Sequence, residues 1–160
     1  LRVSRQGRIG VIGTKSTIAS LAYEKHLKKL DPSCVIFSAS CPLFVPLVEN
    51  RHLNDEITYK VAEYYLKGLK KNNIDTLILG CTHYPLLKDV LSKVVKGVEF
   101  VDSPSAVVKE MKTVIHEKGL ASGRRGRGKL KCYVSDDAEG FRVTAGIFLR
   151  NKINVSRAVL

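Results

Sequence analysis

The feature that most constrains this sequence is an alternation. Short apolar runs ending on small or polar residues are each followed by a stretch with helical periodicity. Ile9-Gly-Val-Ile12 reads as a buried strand ending in Gly13-Thr14, and a helix is predicted from there to about Leu30. Asp31-Pro32 closes it, because the residue before a proline is pushed out of helical geometry. Cys34 to Ala39 reads as a second strand, and Cys41 to Pro46 as an irregular stretch whose prolines offer no ladder donors. Residues 55 to 70 are predicted helical, with Asp55 and Glu56 at the positive end and Ile57, Val61, Tyr64 or Tyr65, and Leu69 as the apolar stripe.

Thr76 to Leu79 is the clearest buried strand, followed by a helix burying Leu87, Val90, Leu91, Val94 and Val95. Val98 to Val101 is another strand and Val107 to His116 another helix. Strands alternating with helices imply an α/β fold, a parallel sheet flanked by helices. After a basic, flexible run from Gly119 to Lys131, Cys132 to Val134 reads as a short strand and Phe141 to Leu149 as a short helix.

A chain of 160 residues, 44% hydrophobic, is long enough for a real core and too apolar for a disordered segment. No apolar run approaches the roughly 20 residues of a membrane span, and Leu1 to Gly7 is basic with no apolar leader. The first residue is Leu and the one Met is Met111, which reads as a processed or incomplete product. A net charge of +12 favours anionic partners. The Arg/Gly run from Gly123 to Lys131 is loop-like and has no interleaved aromatic for base stacking, so nucleic acid is not the expected partner. Cys34, Cys41, Cys81 and Cys132 form no C-x-x-C pair, so free thiols in a reducing cytoplasm are expected and a zinc site is not.

In parallel α/β sheets, chemistry collects at the carboxyl ends of the strands. This sequence places Gly13-Thr14, Ser40-Cys41, Gly80-Cys81-Thr82-His83 and Asp102-Ser103 there. The sharpest signal is Gly80-Cys-Thr-His-Tyr-Pro85, between a buried strand and a predicted helix. Pro85 suits a first helical turn, and the positive end of a helix favours the thiolate of Cys81. His83 lies within reach of the sulfur or of a ligand, and the amides of Thr82 and His83 could hold a carboxylate. The plainer alternative is a buried strand-end cysteine beside a capping threonine and a surface histidine.

Three segments carry a resemblance: Ile9-Gly-Val-Ile-Gly-Thr14, Cys41-Pro-Leu-Phe-Val-Pro-Leu-Val-Glu49 and Asp75-Thr-Leu-Ile-Leu-Gly-Cys-Thr-His-Tyr-Pro-Leu-Leu87. Together they resemble glutamate racemase, of the cofactor-independent aspartate/glutamate racemase superfamily. The likeness covers residues 8 to 116 well and the tail more loosely. It implies conversion of L-glutamate to D-glutamate for peptidoglycan synthesis, by two cysteines on opposite faces of the α-carbon, without cofactor or metal. Cys81 matches one catalytic cysteine, His83 its assistant and a substrate contact, and Thr14 and Thr82 further substrate contacts. Glu49 matches a residue supporting the histidine, with an exposed helix-end carboxylate as the alternative. Cys41 matches no catalytic position and is expected to be a packed thiol.

The family's other catalytic cysteine, in a Cys-Asn-Thr segment, has no counterpart in this sequence. By resemblance, residues 1–102 correspond to the second domain and 103–160 to the return segment of the first. The chain alone is therefore expected to be inactive unless an N-terminal domain or partner chain completes the site, and a homodimer is compatible with this. Such a division should leave Val107, Val108, Met111, Val114 and Ile115 as an exposed apolar face. An inactive racemase-fold binding domain, or a racemase of another amino acid, are the competing readings.

Overall fold

The computed structural model describes residues 3–123, 126, 128–149 and 151–158. It divides into two compact units, Leu1–Gly119 and Leu120–Leu160. The first is built on four strands, β1 (Arg8–Gly13), β2 (Val35–Ser40), β3 (Thr76–Leu79) and β4 (Glu99–Asp102). All pair in parallel, in the order β2-β1-β3-β4. β1 and β3 are the central strands and are almost wholly buried, as uninterrupted aliphatic runs require when helices cover both faces of a sheet. The chain passes from β1 to one side and later returns to the other, so the direction of winding changes between β1 and β3.

The connecting helices are α1 (Lys15–Ala19), α2 (Ala22–Leu30), α3 (Phe44–Glu49), α4 (Glu56–Lys71), α5 (Lys88–Val94) and α6 (Ser103–Glu117). The larger core cluster unites Ile12, Phe44, Val48, Leu66, Leu77, Leu79, Tyr84, Leu87 and Leu91 with their neighbours. A smaller one, of Ile9, Val11, Leu27 and Cys34, lies under α2. Asp75, at the entrance to β3, accepts hydrogen bonds from Ser4 Oγ (2.8 Å) and from the amides of Arg5 (2.9 Å) and Gln6 (2.5 Å). It thereby seats the segment leading into β1.

The expected α/β architecture is present, with four local corrections. The single helix predicted after Thr14 is two, because Leu21 adopts a left-handed backbone with φ 55°. The Ser20 hydroxyl, bonded to the Thr17 carbonyl at 2.7 Å, supplies the local competition that breaks it. The stretch expected to be irregular contains α3. Pro46 is its third residue, where no intrahelical donor is needed.

On α4 the buried set is Thr58, Ala62, Leu66 and Leu69: Leu69 is buried as predicted, but Val61 and Tyr65 are only half-buried, and Ile57 and Tyr64 are exposed. The cap fixes that phase: Asp55 accepts from the Thr58 amide at 2.9 Å, and the Thr58 hydroxyl donates to the His52 carbonyl at 2.7 Å. Finally, no α-helix starts directly after Cys81. One 3-10 turn, Tyr84–Leu87, precedes the seven-residue α5, so the dipole expected to favour the Cys81 thiolate is short and displaced.

α6 begins at Asp102, whose carboxylate accepts from the Ser105 amide at 2.8 Å and from Lys88 Nζ at 3.0 Å. Val107, Val108 and Met111 on this helix are exposed, as expected, while Val114 and Ile115 are half-buried. The second unit is a small β-α-β arrangement. β5 (Cys132–Val134) and β6 (Val155–Arg157) pair in parallel and α7 (Ala138–Leu149) connects them; the sequence reading did not anticipate β6. Within the basic run, Arg124, Arg125 and Arg127 lie outside the described residues. No helix among the described residues is long and apolar enough to cross a membrane.

Candidate active site

The carboxyl ends of β1 and β3 flank the point where the winding of the sheet reverses, where parallel α/β folds bind ligands. Ile12 pairs with Leu79 in the register, so Thr14 and Cys81 each lie two residues beyond the last aligned pair. Gly80 makes this approach possible. A Cβ there would stand 2.8 Å from the Ile12 carbonyl oxygen and 3.0 Å from Cε2 of Tyr23. The residue just beyond β3 therefore carries no side chain, and the next one is Cys81.

Cys81 is a half-buried free thiol, not an entombed one. Its sulfur lies 3.9 Å from His83 Nδ1, and His83 Nε2 lies 3.5 Å from Glu49 Oε1. Thiol, imidazole and carboxylate thus form a line from the strand end to the end of α3. Glu49 is more than half exposed while His83 is mostly covered, so the line runs from solvent towards the sulfur. Thr82, between the two, is exposed.

Thr14 lies at the end of β1, but its hydroxyl is engaged locally. It accepts from the Thr17 amide at 3.3 Å, capping α1, and shares hydrogen bonds with Ser16 and Thr17. The structure therefore groups Cys81, His83 and Glu49 by direct contact and places Thr14 beside them by strand register.

The remaining described cysteines of this unit differ in kind. Cys34 and Cys41 are buried, and burial pushes the Cys41 thiol up to about 12, which keeps it protonated and inert. A cleft of about 460 Å³, lined by Lys70, Asp75, Lys93 and Lys96 among others, lies at the opposite, amino end of the sheet, where this fold places no chemistry. Among the described residues, no group of three or more His, Cys, Asp or Glu side chains could hold a metal ion.

Two residues near the site escaped the sequence reading. Tyr23, on α2, lies against Gly80, and its hydroxyl is 3.4 Å from Ser103 Oγ at the start of α6. Its position depends on the break at Leu21, which no local pattern announces. Tyr84, directly after His83, is fully buried and donates its hydroxyl hydrogen to the Cys41 carbonyl at 2.9 Å.

The profile of the Asp/Glu/Hydantoin racemase family matches residues 2–111. The chain belongs to this family. Among curated Asp/Glu racemase relatives, the glutamate racemase of Geobacter metallireducens is 39% identical over 152 residues, covering 94% of this chain and 56% of its own length. That of Aquifex aeolicus is 41% identical over 153 residues, covering 96% and 56%.

Solved structures agree. A glutamate racemase of Bacillus anthracis superposes with a TM-score of 0.92 at 34% identity, over 99% of this chain and 60% of that one. The Francisella tularensis glutamate racemase, solved in complex with D-glutamate, gives 0.89 at 30% identity, over 99% and 59%. The chain thus spans a little over half the length of the racemases it matches.

Proposed function

We propose that this chain carries one half of a cofactor-independent glutamate racemase site, converting L-glutamate to D-glutamate for peptidoglycan synthesis in the cytoplasm. The observation that supports this most is the line of Cys81, His83 and Glu49 at the switch point of a racemase-family sheet. The Cys81 thiolate takes the α-proton from one face of the amino acid, an S–H bond forming as the C–H bond breaks. The electron pair left on carbon delocalises into the carboxylate, and an opposed thiol delivers a proton to the other face. In the reverse direction Cys81 is the acid.

His83 is hydrogen-bonded to the sulfur and orients it, and Glu49 orients His83 through the far ring nitrogen. Thr14 and Thr82 contact the substrate, with no cofactor and no metal. Residues 1–102 act as the second domain of the enzyme, and 103–160 as the segment that returns to the first. The opposed thiol comes from a complementary N-terminal domain or partner chain, because Cys34 and Cys41 are buried and Cys132 stands in no matching context.

Two measurements test this. Glutamate should slow alkylation of Cys81 by iodoacetamide and leave Cys132 unaffected, whereas aspartate should protect less. In deuterated water the chain alone should yield no D-glutamate from L-glutamate. Absence of protection would remove the glutamate site, and inversion with α-deuteration by the chain alone would overturn the half-site.

A further inference from the structure

Two parts of the structure must meet for the Cys81–His83–Glu49 line to exist. Cys81 and His83 leave the end of β3, while Glu49 is the last residue of α3, a helix entered from β2. Nothing in the strand pairing joins these parts, since β2 and β3 lie on opposite sides of β1. Besides core packing that includes Val48 and Leu87, a hydrogen bond and a ring contact that join them both come from Tyr84.

Tyr84 follows His83 immediately, is fully buried, and donates to the Cys41 carbonyl, two residues before the cap of α3. Its ring packs edge-on against Phe44, the first residue of α3, at a centroid distance of 5.2 Å and an interplanar angle of 88°. Phe44 in turn meets Tyr65 of α4 edge-on at 5.4 Å, and the Tyr65 hydroxyl accepts from the Leu43 amide at 3.4 Å. The Cys41 carbonyl also accepts from the Phe44 amide at 3.2 Å, closing the turn that opens α3. The Tyr84 amide donates to the Cys81 carbonyl at 3.3 Å, closing the turn that holds the thiol and the imidazole. One residue therefore bonds the catalytic turn through its amide and the α3 entry through its hydroxyl.

We propose that Tyr84 is a positioning residue of the site, its hydroxyl holding the Cys81–His83 turn against α3 at the separation that lets His83 face Cys81 and Glu49 together. The proposal rests on the racemase reading for what that line does, but the contact itself stands apart from any substrate. The ring supplies packing and the hydroxyl supplies registration, and the two separate experimentally. Tyr84→Phe keeps the edge-on contact with Phe44 and removes one hydrogen bond. Phe44→Leu loosens the same packing and leaves that bond in place.

The readout is the pH–rate profile of Cys81 alkylation by iodoacetamide, measured on the full chain without glutamate and followed by mass spectrometry. His83→Asn marks the profile of a thiol that has lost its partner. Tyr84→Phe should move the profile toward that of His83→Asn, a change of roughly threefold in alkylation rate at neutral pH. Phe44→Leu should lower the melting temperature and leave the profile where it was.

A wild-type profile in Tyr84→Phe beside an altered one in His83→Asn would reduce Tyr84 to a core residue and overturn the proposal, with the racemase reading intact. A wild-type profile in both would remove the Cys81–His83 relay, and the proposal with it. Loss of glutamate protection at Cys81 with the expected profiles would instead sink the racemase reading and leave Tyr84's role standing. Should Tyr84→Phe fail to fold, 4-aminophenylalanine at position 84 keeps the ring and a donor in the same place, but its aniline N–H donates more weakly to the Cys41 carbonyl than the phenol O–H does. It must then shift the profile in the same direction, and an unmoved profile would refute the proposal.

Discussion

Replacing Gly80 by alanine tests the geometry on which the site stands. The added Cβ would meet the Ile12 carbonyl oxygen at 2.8 Å, Cε2 of Tyr23 at 3.0 Å and Cγ2 of Thr17 at 3.5 Å. The Tyr23 ring could tilt, but the Ile12 oxygen cannot withdraw freely, because it accepts the Gly80 amide at 2.7 Å at the end of the β1–β3 ladder. The clash is therefore relieved only by moving backbone between the two central strands. Overpacking of this kind costs about 2–3 kcal/mol. The loss of glycine's freedom in the unfolded chain returns about 0.4–1 kcal/mol of that.

The net destabilisation is about 2 kcal/mol, or roughly 4–8 °C in melting temperature for a chain of this size. Gly68 is the internal control. It lies in the interior of α4, exposed, with nothing within 4 Å of a built Cβ, so Gly68→Ala should stabilise by about 0.5–1 kcal/mol. Urea melts followed by circular dichroism give both values in one buffer. Adding Tyr23→Ala should leave most of the Gly80→Ala cost in place, because the hard contact is with the Ile12 oxygen. A Gly80→Ala chain as stable as wild type would refute the close approach of β3 to β1 and Tyr23 just before Cys81.

Three further outcomes are expected. Iodoacetamide under native conditions should modify Cys81 and Cys132, and should reach Cys34 and Cys41 only after denaturant is added; mass mapping that finds Cys41 labelled first would contradict its burial. At Asp102 and Asp75 burial opposes the charge, but hydrogen bonds from Ser105 and Lys88, and from Gln6, Ser4 and Thr76, outweigh it and hold both carboxyls below the usual range. Their stabilising contribution is then complete above the unfolded value near 3.9 and is lost as the pH falls through the lower folded values, so urea midpoints should be flat above about pH 5 and drop below about pH 4. Asp102→Asn, which retains a capping oxygen but weakens the Lys88 contact, should flatten that drop. Leu21→Asn should stabilise by about 0.5–1 kcal/mol, since asparagine accepts the left-handed backbone more readily than leucine, and a lower melting temperature would argue against φ 55° at this position.

The sheet was legible because its strands are short apolar runs with no rival period. Ile9 to Ile12 and Thr76 to Leu79 are too aliphatic to lie anywhere but between two helical layers. The helices were legible in existence but not in phase or extent, because side-chain hydrogen bonds decide those. Thr58 sets the phase of the first turns of α4 through its bond to His52, and Ser20 interrupts what the pattern reads as one helix. The β-α-β character of the second unit was half visible. Val155 to Arg157 has three residues and pairs with a strand more than twenty positions earlier, which local periodicity cannot register.

The site itself divides along the same line. Cys81 and His83 were legible because they are reactive residues at a strand end, and Glu49 only because its segment resembles a racemase. Tyr23 and Tyr84 were not, since each is placed beside the site by a contact far away in sequence. Yet the five residues from Gly80 to Tyr84 are recognisable for two separate reasons. Gly80 and Tyr84 answer to packing, the one because Ile12 and Tyr23 leave no room for a Cβ, the other because it fills the core beside Phe44. Thr82 is exposed and Cys81 and His83 are half-buried, and in the proposed reading these three answer to the substrate at the open end of the sheet.

A protein that kept this fold and lost its chemistry would be free to change the inner three while the flanking pair stayed fixed. In this chain all are present, and the thiol faces its imidazole at 3.9 Å. That coexistence is why Gly80 should be tested by stability and the inner three by reactivity, with Tyr84 tested by both, its ring through stability and its hydroxyl through reactivity. A substitution at Gly80 that altered only alkylation, or one at Thr82 that altered only the melting temperature, would break the division.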